Sequence, residues 1–101
     1  MMLLNPEKAK MHIAHNIRER RLALTLTQAG LAKRAGVALA TLRKFEQTGQ
    51  IALPTLLKLL VVVGGLHDVV EATKPASVPY QSIDDVLADA PKNKRQRGRV
   101  N

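Results

Sequence analysis

Glycine cuts the first two thirds of this 101-residue chain into short helices. Gly36, Gly49 and the pair Gly64-Gly65 each close a run whose apolar residues recur at three- and four-residue intervals, the spacing of one helix face. Asn5-Pro6-Glu7 opens the first helix with a capping side chain, a proline at the first helical position and an acid at the positive dipole end. Ile13, Ile17 and Leu24 mark its inward face, with Arg18, Glu19 and Arg20 turned to solvent. Thr27 caps a second helix over 28–35 with Leu31 and Ala32 inward. A third, over 38–48, buries Leu42 and Phe45 and part of Thr41. The fourth runs from 53 or 54 to 63 on a wide stripe of Leu56, Leu57, Leu59, Leu60 and Val63. A fifth, over 66–72, turns Leu66, Val69 and Val70 inward. No strand signal precedes residue 76, so the expected fold is all-α, a compact five-helix domain over 5–72.

Charge divides the chain further. The formal net charge is +8, from 16 Lys and Arg against 8 Asp and Glu. That exceeds what solubility requires and points to a polyanionic partner, nucleic acid first. Residues 1–66 carry ten basic and three acidic side chains, residues 67–91 one and five, and residues 92–101 five and none. The expected organisation is a basic domain, an acidic linker with a short helix over 73–91 and a basic, disordered tail over 92–101. Lys94, Arg95, Arg97 and Arg99 in that tail read as a solvated end or as phosphate contacts, and the two readings are compatible.

Other function classes fall away. A two-domain enzyme with a cleft does not fit one small domain. The absence of cysteine removes disulfides and thiolate metal sites, and fits a reducing cytoplasm. Phe45 and Tyr80 are too few aromatics for a single-strand stacking platform. The longest apolar stretch, 51–66, contains Pro54, Lys58, Gly64 and Gly65 and falls short of the roughly 20 residues of a spanning helix, so a soluble chain is expected. His12, His15 and His67 form no ligand set, adjacent Asp84 and Asp85 lie on different helix faces, and Ser77 and Ser82 lack a triad. No enzyme activity, metal, cofactor or small-molecule ligand is expected.

The second and third helices carry the information. Two short helices joined at Gly36-Val37 behind a polar cap have the layout of a helix-turn-helix, whose second member enters the major groove. Gln28, beside the free N–H groups that open the second helix, is placed to clamp a phosphate. Opposite Leu42 and Phe45, the third helix turns Leu39, Ala40, Arg43 and Lys44 outward.

The run Leu26-Thr27-Gln28-x-x-Leu31-Ala32-x-Arg34-Ala35-Gly36-Val37-x-x-x-Thr41-Leu42-x-x-Phe45-Glu46-x-x-Gly49 resembles the Cro/repressor, or XRE-type, helix-turn-helix family over residues 12–66. The resemblance implies a five-helix domain, usually dimeric, that reads an inverted repeat in double-stranded DNA. It implies phosphate contact for Gln28, base- and groove-facing positions for Ala38, Leu39, Ala40, Arg43 and Lys44, and a place near the backbone for Thr41. It also implies that Arg21 pairs with Glu46, a bidentate contact expected to be structural. The chain departs from the family at Ala38 and Ala52, where serine caps are frequent, and at Gly30, where an acid is common. Without Gln or Asn in the base-facing slots, direct readout falls to Arg43 or Lys44 on guanine and Leu39 or Ala40 on thymine methyls.

After the domain, Pro75 to Pro79 reads as an extended connector to Tyr80, and Ser82-Ile83-Asp84-Asp85 opens a short helix with Ile83, Val86 and Leu87 on its apolar face. That element is a dimer brace, simple packing or a handle for another protein. Taken with the segment from Phe45 to Leu60, it resembles HipB-like antitoxins. These are dimeric bacterial repressors of their own operon that bind a HipA-like kinase toxin, and the resemblance implies a cytoplasmic protein, nucleoid-associated at its operator. A stand-alone phage-type repressor and an interaction protein with a degenerate helix-turn-helix are the alternatives.

Overall fold

The computed structural model describes residues 3–76, and its residues 3–70 belong to one compact unit; a second unit begins at Glu71, of which 71–76 are described. Five helices follow one another: α1 (Pro6–Ala23), α2 (Gln28–Ala35), α3 (Leu39–Thr48), α4 (Leu53–Val63) and α5 (Leu66–Ala72). No strand occurs among the described residues.

Local chemistry sets the helix ends. Asn5 accepts the Lys8 N–H at 2.8 Å with Pro6 in the first turn, and the Thr27 hydroxyl accepts the Gly30 N–H at 2.9 Å. Gly36 closes α2 in the left-handed region. Ala38 and Ala52 occupy the caps of α3 and α4 and make no side-chain capping bond.

The core gathers Ala14 and Ile17 of α1, Leu31 and Ala32 of α2, Leu42 and Phe45 of α3, and Leu59 and Leu60 of α4. Burying a leucine or phenylalanine stabilises by roughly 1.5–3 kcal/mol, so this cluster supplies most of the drive for folding. α1 departs from the expected face. Ile13 and Leu24 are 44% and 48% exposed, and the buried side is Ala14, Ile17 and Arg21. The reason lies in how closely α1 meets the end of α3. Gly49, at φ +78, would place a Cβ 2.8 Å from Lys10 Cγ and 3.0 Å from the Lys10 carbonyl oxygen. Lys10, Ala14, Ile17 and Arg21 share one helix face, so that contact rotates the face inward and leaves Ile13 outside. Val70 of α5 is likewise 54% exposed, whereas Leu66 and Val69 pack against the core.

Candidate nucleic-acid interface

α2 and α3 form a bihelical unit that α1 and α4 hold from behind. Its bracket is a buried polar network. Arg21 Nε donates to Glu46 Oε2 at 2.8 Å and Nη2 to Oε1 at 2.9 Å, while Nη1 donates to the Leu26 carbonyl at 2.9 Å. Gln28 Nε2 donates to Glu46 Oε1 at 3.0 Å. The Arg21 and Glu46 side chains are only 8% and 4% exposed. One carboxylate of α3 is thus tied to the last turn of α1 and the first residue of α2. Burial pushes the Glu46 carboxyl up. The hydrogen bonds from Arg21 and Gln28, with the positive charge of Arg21 and Arg18, outweigh it and hold the group below its ordinary value.

With α3 clamped on one side, its other side faces solvent. Ala38, Ala40, Arg43 and Lys44 are exposed and Thr41 is half-buried. Leu39 differs from its expected place, being partly buried and packed against the core three residues before Leu42. Gln28 also differs, because its amide nitrogen already serves Glu46 and one N–H of that group remains. Gln47 was missed in the sequence, although helical spacing points to it: seven residues after Ala40 and four after Arg43, it lies exposed on the same face. Gln50 joins Thr41, Lys44, Ile51 and Ala52 around an open depression of about 450 Å³ between the end of α3 and the start of α4. Tyr80, Ile83, Val86, Leu87, Lys94, Arg95, Arg97 and Arg99 lie outside the described residues.

A short helix carried across the start of a second, with the second held against a core and turning two cations outward, defines a helix-turn-helix protein. Residues 17–66 match the model of the helix-turn-helix family, and the chain carries a domain of that DNA-binding family. No curated protein and no solved structure matches the chain. No described helix is long and apolar enough to cross a membrane, and no group of three or more His, Asp or Glu among the described residues is arranged to hold a metal.

Proposed function

We propose that the chain is a sequence-specific transcriptional repressor that binds an inverted repeat in double-stranded DNA as a homodimer. The observation that carries this reading is the exposed α3 face of Ala40, Arg43 and Lys44, backed by the buried Arg21–Glu46–Gln28 network. Small side chains at Ala38 and Ala40 let the helix approach the groove floor. Arg43 and Lys44 donate to guanine O6 and N7, Thr41 lies near the backbone, and the remaining Gln28 N–H with the first N–H groups of α2 takes a phosphate. Leu39 supports the helix from the core side and offers at most its edge to a thymine methyl. Two copies read half-sites about 34 Å apart, one helical turn of DNA.

Selection of duplexes from a random library, followed by salt titration of the winner, tests this. Each phosphate neutralised adds about 0.9 to the slope of log affinity against log salt, so Arg43→Ala with Lys44→Ala lowers it by up to about 1.8 per protomer. A pool that yields no enriched sequence refutes sequence-specific recognition.

The same reading extends to an antitoxin that represses its own operon in the bacterial cytoplasm and binds a HipA-like kinase toxin. The resemblance of the 45–60 segment, with Tyr80, Ile83, Val86 and Leu87 in an acidic stretch unsuited to lie on phosphates, supports it. Capture of a kinase-fold neighbour by the full chain, lost on truncation at Ala72, is the expected result. Equal capture by both forms removes that segment from the interface.

A further inference from the structure

The last turn of α1 sets two arginines side by side, and each grips a different part of the fold. Arg21 holds Glu46 of α3. Arg20 reaches the opposite way, its Nη1 donating at 2.5 Å to the carbonyl oxygen of Gly64, the C-terminal cap of α4 and 44 positions further along the chain. The seat requires glycine. Gly64 and Gly65 have φ of +90° and +112°, and a Cβ on Gly65 would stand 2.9 Å from Arg20 Nη1. α5 begins at the next residue. One turn of one helix therefore fixes both the recognition helix and the corner from which the chain leaves the domain.

We propose that Arg20 is a positioning residue for paired-site DNA recognition: its hold on Gly64 sets the direction of the start of α5 relative to α3. The inference rests on the homodimer reading above, in which the segment beyond α5 joins two copies. A dimer engages two half-sites together only if its recognition helices keep a fixed separation. Slack at the α4–α5 corner spreads that separation and lowers the effective concentration of the second domain at its half-site, with each domain still able to bind alone. A hydrogen bond this exposed adds little to stability, so its consequence lies in geometry.

The chain has no cysteine, so Gln47→Cys on α3 and Asp68→Cys on α5 accept one pair of spin labels in the full-length protein. Dipolar spectroscopy should give one narrow distance distribution with Arg20 present, and a broadened or shifted one in Arg20→Ala. Arg20→Lys, which keeps a donor without the planar fork, should fall between. An unchanged distribution in Arg20→Ala overturns the proposal. A second arm uses a duplex selected from a random library, intact and with one half scrambled. Arg20→Ala should lose at least about ten-fold on the intact duplex and less than about two-fold on the scrambled one. Equal losses on both reduce Arg20 to a stability residue and overturn the proposal. If the unmodified chain binds both duplexes alike, the homodimer reading fails and the link to paired sites falls with it, whatever the labels report.

Discussion

Replacing Glu46 by alanine strips three hydrogen bonds from one point: two from Arg21 at 2.8 and 2.9 Å and one from Gln28 at 3.0 Å. What remains is a guanidinium on a side chain 8% exposed, with the Leu26 carbonyl as its other partner. Breaking a buried pair from one side costs about 3–5 kcal/mol, because the surviving charge has neither water nor counter-charge. A domain of about 70 residues has roughly 4–10 kcal/mol of stability in total, so Glu46→Ala should remove half or more of it. Glu46→Gln keeps the volume and one acceptor oxygen but turns an amide donor toward Arg21 or Gln28. It should cost about 1.5–3 kcal/mol, the range for a hydrogen bond to a charged group.

Urea unfolding followed by helical circular dichroism, at pH 7 and in steps down to pH 3, separates these effects. Glu46 has a folded-state pKa below its ordinary value of 4.5. A carboxyl with a depressed folded value contributes fully above its unfolded pKa and loses that contribution as pH falls through the folded one. The parent chain should therefore weaken from about pH 4.5 downward, and Glu46→Gln should lack that part of the slope. A loss below about 1 kcal/mol for Glu46→Ala would refute a stabilising role for the buried pair. So would Arg21→Ala that unfolds normally yet loses DNA, since it would make Arg21 a DNA contact.

Three smaller changes probe the scaffold. Gly49→Ala should destabilise by about 2–4 kcal/mol in urea, combining left-handed strain with a Cβ 2.8 Å from Lys10 Cγ; a loss under about 1 kcal/mol would mean α1 can retreat freely. Ala38→Ser supplies the side-chain cap that α3 lacks and should add about 1 kcal/mol, read as a rise of about 4–8 °C in melting temperature. Thr25 is a β-branched residue at φ +57°, and Thr25→Asn should stabilise by roughly 1 kcal/mol in the same melt, with no gain showing that the strain is already offset.

Much of this domain is legible in the sequence because helix punctuation is local. Asn5, Thr27 and Gly36 act on backbone groups within a few residues, so the pattern marks the same ends that the structure has. The inward faces of α2 and the middle of α3 follow as directly, from Leu31, Ala32, Leu42 and Phe45. The face of α1 does not, because two of the residues that define it, Ala14 and Arg21, are a small side chain and a cation. Apolar periodicity weighs Ile13 above Ala14. The Gly49–Lys10 approach reverses that order, and it joins residues 39 positions apart. Gln28 was misplaced for the same reason: as the first residue of α2 it looks outward, and its bond to Glu46 exists only once α3 is packed.

The partition of charge gains its meaning from these pairings. Residues 1–66 contain three acids, and each is held by a cation of α1: Glu7 by Lys10, Glu19 by Arg18 and Glu46 by Arg21. Arg20 is occupied by the Gly64 carbonyl. The neutralised charge therefore belongs to α1 and to what α1 buttresses. Lys33 and Arg34 at the end of α2, Arg43 and Lys44 on α3 and Lys58 on α4 have no acidic partner among the described residues. Such charges repel one another and, within a Debye length of about 8–10 Å, sum into a field that a helix pair built only for packing has no use for. Four of the five belong to the helix-turn-helix pair itself. The positive potential is thus concentrated on the elements that approach DNA, and the acids that could have quenched it are held by α1.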